Sequence, residues 1–395
     1  MSEGVTIDNN QARIQLLKRW FKSVLAEVSP SSDFNDFTVN LVQGDASFRR
    51  YFRAQNQNLS YILVDAPPDK ENNQAFVEIA NAFSKKRVQV PTIYQFDLEQ
   101  GFLCLSDFGD SLLWSTLKKA QSLNADATSL YRAAFKELLL IQQVSVEKLP
   151  LFSEELLQQE MELFRHWFCE GILNLTLSDQ DNKILKEAFD FLNQSARKQA
   201  QVCVHRDYHS RNLLYLEAKV SDESPIKSEF KSHIGVIDFQ DAVKGPFTYD
   251  LVSLLKDCYI AWPNDQVQTW ALEYRELAIQ QKILDKGDAN RSNTEESMFL
   301  KSFDLMGAQR HLKAIGIFSR LFLRDKKITY LTDIPRTLSY LHQVAAEYPE
   351  LNELHAWLEI KVMQDVEQKI LAASNNDSSN SSSNISGINN RNTEL

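Results

Sequence analysis

Residues 202–216 read VCVHRDYHSRNLLYL, with two histidines, two arginines, an aspartate and an asparagine set between apolar runs. Burial pulls such flanks inward, while the polar segment must keep its backbone groups hydrogen-bonded. A tight loop between two strands meets both demands, because it is held at each end and reaches solvent at its crest. Within it Asp207 and Asn212 are separated by four residues, and Asp238, in GVIDF, follows 26 positions after Asn212.

The rest of the chain sorts into two kinds of pattern. A helix is expected over Gln11 to Glu27, and then FTVNLVQ, SFRRYFRAQ and SYILVDA carry β-branched and aromatic residues with partial alternation. The short breaks between them suit antiparallel hairpins, and Pro67 with Pro68 marks a loop. Asn73 to Arg87 is expected to be a helix with Phe76, Ile79, Ala80 and Phe83 on one face. TIYQFDL and GFLCLSDF give two more strands around the turn EQG. Beyond about residue 107 helical spacing dominates, as in Leu130, Ala134, Leu138 and Ile141, and again in Leu157, Met161, Phe164 and Phe168. Ser178 is placed to cap a further helix.

The expected fold class is therefore α+β. A small antiparallel-sheet unit spans 1–107, a larger mainly helical unit spans 108–372, and a Ser/Asn-rich tail at 373–395 has too little to bury to fold. EAKVSDESPIKSEFKSH reads as a solvated insertion.

A net charge of -10 over 395 residues argues against a general nucleic-acid binder, whose phosphate contacts need a basic surface. The four cysteines lie far apart with no CxxC spacing. No signal peptide is visible, and no apolar run approaches the roughly 18 residues that span a bilayer. The expectation is a cytoplasmic protein with reduced thiols, no membrane association and no obligate protein partner.

Asp207, Asn212 and Asp238 follow the spacing of the kinase catalytic loop, H-x-D-x-x-x-x-N, with a metal-binding aspartate at the end of a later strand. Each residue type has a task in phosphoryl transfer. A carboxylate at Asp207 accepts the proton of an attacking hydroxyl and orients it. The amide oxygen of Asn212 and the carboxylate of Asp238 are hard ligands matched to Mg²⁺. His205 reads as a brace for the loop. HRD alone would signify no more than a capped surface loop; the later asparagine, the IDF and the preceding hairpins make the pattern specific.

With HRDYHSRNL followed by GVIDFQDAVKGPFTYDLVSLLKDCY, the chain resembles the aminoglycoside phosphotransferase-like kinases, small-molecule relatives of the protein kinases. That resemblance implies a bilobal protein-kinase-like fold, ATP as co-substrate, and a structural role for Asp250 in hydrogen-bonding the catalytic-loop backbone. GDASFRRYFR, VDAPPDKE and GAQRHLKAIGIFSRL extend the resemblance to the anomeric N-acetylmuramate/N-acetylglucosamine kinases of peptidoglycan recycling, over about residues 12 to 365. It implies phosphorylation of an amino sugar at its C1 hydroxyl. Two alternatives stand beside it: a related kinase for an aminoglycoside, choline or homoserine acceptor, and a catalytically silent nucleotide-binding protein.

The chain departs from the kinase pattern in two places. It has no G-x-G-x-x-G, so the turn from Gly44 to Ser47 is the candidate phosphate-binding loop, through its backbone N–H groups. Asp65 stands where kinases offer a phosphate-gripping lysine. In an extended strand it shares a face with Leu63, and it is expected to point to the nucleotide cleft. Arg49 and Arg53 lie on one face of the neighbouring strand and Arg50 on the other; one of them is expected to pair with Asp65 and replace the lysine. Glu78 is a further candidate partner for this cluster. Backbone groups around Leu105 to Asp107 are positioned to read the purine edge. For the sugar, Arg310 and His311 are candidate substrate contacts; Arg310 or Lys313 meets a lactyl carboxylate, or these charges lie with Gln309 on a solvated helix face. Asp241, three residues past Asp238, binds substrate or a second metal, and His209 and Arg211 face substrate or phosphate.

Overall fold

In the computed structural model, residues 3–42, 48–216, 234–285, 292–364, 366 and 368–371 are described. The Gly44–Ser47 turn, the insertion at 217–233 and the tail therefore lie outside the described residues. The chain divides into two compact units, 1–145 with 210–242, and 146–209 with 243–395. The first unit thus extends past residue 107 and takes back a later segment.

Helix α1 (Glu3–Val28) precedes strands β1 (Thr38–Leu41), β2 (Arg50–Gln55) and β3 (Ser60–Asp65). Helix α2 (Asn73–Lys85) then leads to β4 (Ile93–Asp97) and β5 (Phe102–Ser106). The five strands form an antiparallel sheet in the order β1-β2-β3-β5-β4. Alternation in β3 sends Tyr61 and Leu63 to one face, where they join Leu17, Phe21, Val24 and Leu25 of α1 and Phe52 of β2 in one apolar cluster. α2 buries the expected face of Phe76, Ile79, Ala80 and Phe83 but ends at Lys85, two residues before the expected Arg87, which at φ 65° turns the chain away.

Two further helices, α3 (Leu113–Ser122) and α4 (Thr128–Gln142), follow in the first unit. The returning segment attaches through main-chain bonds. Leu213–Tyr215 pairs antiparallel with Ile234–Val236, Trp114 N–H donates to the Ser210 carbonyl at 3.0 Å, and Val236 N–H donates to the Gln89 carbonyl at 2.7 Å.

The second unit contains α5 (Glu154–Leu163), α6 (Asp179–Arg197), α7 (Tyr249–Leu255), α8 (Asn264–Gln280), α9 (Ser292–Asp325), α10 (Ile334–Glu347) and α11 (Asn352–Leu358). Ser178 caps α6 in a reciprocal capping box with Asp181. A short ladder pairs Gln201–Val204 with Val243–Pro246, a strand that the sequence pattern does not announce. The 34-residue α9 runs along α5, α6, α7 and α10.

Where α5 passes into a π-helical run, Phe164–Ile172, α9 approaches closely enough to require glycine. A Cβ on Gly316 would meet the Leu163 carbonyl carbon at 2.4 Å and the Phe164 nitrogen at 2.6 Å. Gly316→Ala should gain about 1 kcal/mol of helix propensity and lose more to a contact with backbone that cannot rotate away. A net loss of about 2 kcal/mol is expected in chemical denaturation; an unchanged or raised stability would show that the two helices can separate without penalty.

Candidate active site

The strand Gln201–Val204 delivers the chain to His205, and a buried carboxylate catches it there. Asp250, on α7 and fully buried, accepts from His205 N–H at 2.6 Å and from Arg206 N–H at 3.0 Å. These bonds hold Arg206 at φ 77°, a left-handed conformation that non-glycine residues seldom adopt. The Asp207 N–H lies 3.3 Å from Nδ1 of the fully buried His205. The residues thus fix Asp207 through the backbone on both sides of the turn.

Around Asp207 the second unit gathers cations. Arg206 pairs with the buried Glu160 at 2.6 Å. Lys313 reaches the same carboxylate at 3.3 Å and donates to the Tyr249 hydroxyl at 3.0 Å. Arg310 is 5% exposed, with Nη1 3.6 Å from the Cys258 sulfur. The stretch Gln309–Lys313 is therefore buried, and the solvated-face alternative does not hold. Periodicity alone cannot reveal this, because inward charges are tolerated only where partners such as Glu160 await them.

His311 stands beside Arg310 on α9. It is fully buried, its Nε2 lies 3.0 Å from the Lys256 carbonyl, and its ring stacks on Tyr340 at 4.9 Å. Burial brings it down to about 3. His209 is partly exposed and meets Tyr259 edge-on at 5.2 Å.

Asp207 and Asp250 titrate in opposite directions. Burial works to raise Asp207, but the charges of Lys313, His209, Arg310 and Arg206 outweigh it and hold the carboxyl well below the usual range. Burial pushes Asp250 up to about 7 against its two backbone donors, with the charge of Asp207 adding to the rise. A pair of carboxyls driven apart in this way assigns the lasting negative charge to Asp207.

The chain passes into the first unit between His209 and Ser210. There Asn212 Nδ2 donates to Asp238 Oδ2 at 3.1 Å, and Ile237 N–H donates to the Asn212 carbonyl at 3.1 Å. Gln240, absent from the sequence-derived candidates, donates to the other Asp238 oxygen at 2.8 Å. Asp238 takes φ 64°, while buried Phe239 anchors beside Phe76 and Phe83 of α2, at 4.9 and 5.8 Å between ring centroids. A carboxylate and an amide so placed suit a hard divalent cation that keeps waters or phosphate oxygens as its other ligands. Asp241 is exposed, and the Arg211 guanidinium lies 4.9 Å over the Trp114 ring.

Asp65 departs from its expected orientation. With Tyr61 and Leu63 it faces α1, fully buried. Arg50, its cross-strand neighbour, does pair with it. Arg13 of α1 pairs with it as well, at 2.5 Å. Arg49 projects with Tyr51 to the opposite face of β2. Burial first, and then the charge of Asp238, raises the Tyr51 phenol to about 12, with Arg49 opposing the rise. Arg49 pairs with Glu71 at 3.2 Å and lies over Phe76 at 5.6 Å, so Glu71 and not Glu78 is its partner; Glu78 accepts from Gln74. Arg53 is held by Asp107 at 2.6 Å and Asp110 at 2.7 Å. Leu105 sits inside the ladder opposite Ile62 and Ile93, which commits its main chain to the sheet.

A five-stranded antiparallel sheet with a helical second unit, an HRD loop held by a buried aspartate and a later IDF loop define a kinase-like phosphotransferase. A family model described as "Phosphotransferase enzyme family" matches residues 38–281, and the chain belongs to that family. It is 37% identical over 350 residues to N-acetylmuramate/N-acetylglucosamine kinase of Pseudomonas putida, covering 87% of this chain and 95% of the relative. The protein of the same name from Pseudomonas aeruginosa is 38% identical, with 88% and 96% covered. That from Neisseria meningitidis serogroup B is 34% identical, with 87% and 94% covered. Among solved structures, the Plasmodium vivax ethanolamine kinase superposes with a TM-score of 0.56 at 11% identity, over 81% of this chain and 87% of its own. A Cryptosporidium parvum choline kinase gives 0.55 at 11% identity, over 86% and 99%. At that identity these two structures establish the fold alone. Among the described residues no helix is long and apolar enough to cross a membrane.

A carboxyl that titrates higher in the folded chain than in the unfolded one stabilises the fold while protonated. The contribution of Asp250 is thus complete below about pH 4 and lost as pH rises through about 7. Asp250→Asn should lower the melting temperature and flatten its decline over that window. An unaltered decline in the variant would assign the titration to another group.

Proposed function

We propose that the chain transfers the γ-phosphoryl group of ATP to the anomeric C1 hydroxyl of N-acetylmuramate, N-acetylglucosamine or both, giving the sugar 1-phosphate. The observation that carries the chemistry is Asp207, kept ionised by buried cations on a turn fixed by Asp250. The amino-sugar acceptor is supported by the names of the relatives that span nearly the whole chain, and its C1 position by the resemblance of the combined motifs.

Asp207 orients the acceptor hydroxyl and takes its proton as the new O–P bond forms and the bond to the β-phosphate oxygen breaks. Asn212 and Asp238 would hold Mg²⁺, with Gln240 fixing the carboxylate. When bound, the ion supplies charge neutralisation for the phosphates. Arg49 takes the place of the missing lysine, since it lies on the Asp238 side of the sheet and pairs with Glu71 much as a kinase lysine pairs with its glutamate. Backbone groups from Asp107 onward read the purine. Arg310, whose Nη1 lies against the Cys258 sulfur, is the cation suited to an acceptor carboxylate.

Arg49→Ala should raise the KM for ATP about tenfold, the worth of one charge-assisted contact. Arg50→Ala should instead leave Asp65 to Arg13 and cost about 2 kcal/mol of stability. A KM effect confined to Arg50→Ala would return the phosphate role to Arg50.

Phosphorus NMR of protein with ATP, Mg²⁺ and each sugar should show a phosphate signal coupled to the anomeric proton. Asp207→Ala should reduce its formation about 10²–10⁴-fold. A phosphate on any other hydroxyl, or none with either sugar, would overturn the acceptor assignment and leave the family intact.

A further inference from the structure

At the seam between α10 and α11 the apolar faces are closed by Leu338, Leu341 and Ala345 on one side and Leu354 and Leu358 on the other, all buried. Beside this seam stand three groups that phosphoryl transfer does not use. His342 projects from α10, His355 from α11, and Glu359 opens the π-helical run Glu359–Met363 that continues α11. Their side chains are 23%, 32% and 51% exposed. The imidazole rings lie 4.8 Å apart. His342 Nε2 is 2.6 Å from Glu359 Oε1, His355 Nε2 is 3.9 Å from the same oxygen, and the three ligand atoms all lie within 4.8 Å of one another.

We infer that His342, His355 and Glu359 form a binding site for a divalent transition-metal ion of the zinc class, which ties α10 to the end of α11. Two imidazole nitrogens and one carboxylate oxygen are a donor set for zinc and its neighbours, whereas Mg²⁺ and Ca²⁺ prefer oxygen alone. Three protein ligands leave a fourth position for water. Zinc bonds to nitrogen and oxygen put tetrahedral ligand atoms about 3.4 Å apart. The His342–Glu359 contact must therefore open and the His355 ring move in, each by about an ångström, which is within the reach of side-chain rotation. Without metal, the short contact is a hydrogen bond from His342 Nε2–H to the carboxylate; the cation replaces that proton. All three ligands stand on helices, so the backbone needs no rearrangement, and their partial exposure gives an ion a path of entry.

The test uses the full chain, stripped with a chelator, and zinc alone as the probe. After equilibration and dialysis, metal content should show one zinc more per chain in the wild type than in His342→Ala or Glu359→Gln. Calorimetric affinity for that zinc should fall at least tenfold in each variant. Zinc should raise the melting temperature of the wild type and leave that of the variants unmoved, while Mg²⁺ should raise none of them through this site. Circular dichroism confirms that the variants are folded. Cobalt at the same site should give visible d–d absorption that Glu359→Gln loses. Equal zinc content in the three chains, or no zinc retained by the wild type, would reduce the cluster to a surface hydrogen-bond pair and overturn the assignment.

Discussion

One carboxylate, that of Asp250, holds the turn on which the chemistry depends. It gives up water on α7 and receives two main-chain N–H groups in return. Each bond contributes about 1 kcal/mol and spares a buried donor the about 1–3 kcal/mol of going unpaired, enough together to offset the roughly 1–3 kcal/mol that a left-handed arginine costs. The strained turn is therefore stable only because α7 delivers an acceptor to it. Removing the acceptor would leave two buried donors unpaired and allow Arg206 to relax, and Asp207 would lose its direction with it.

The surrounding charges obey the same rule. Glu160 receives Arg206, Lys313 and Gln309, so two of the buried cations near Asp207 are themselves compensated. In the first unit, Asp65 is buried between Arg13 and Arg50 under the sheet. Both clusters place ionised groups out of water, but to different ends. The cluster around Glu160 sets the protonation state of Asp207, whereas the cluster around Asp65 joins α1 to the sheet.

Much of this was legible in local sequence. HRDYHSRN and IDF announce their loop chemistry through residue type and spacing, the buried face of α2 follows from its period, and the Ser178 cap follows from its chemistry. What could not be read depends on pairings across long stretches of chain. Arg13 meets Asp65 from 52 positions away, and Gln309 meets Glu160 from 149. A pattern of alternation placed Asp65 correctly beside Leu63, yet could not say which face of the sheet α1 would cover. The charges of Gln309–Lys313 look like a solvated stripe for the same reason: whether a charged helix face turns inward is decided by what lies opposite. Gln240 gave no signal at all, since a glutamine beside an aspartate is common in any loop.

Arg206 and Asp238 both hold backbone angles that glycine adopts with less strain, at φ 77° and 64°. Glycine would relieve the main chain at both, as it would at Arg87, but at Arg206 it would also leave buried Glu160 with one cation fewer. The same changes would remove a cation that bears on Asp207 and a carboxylate from the IDF loop. Main-chain ease and turnover are set against each other at these two residues, and the strain is kept where the side chains are used.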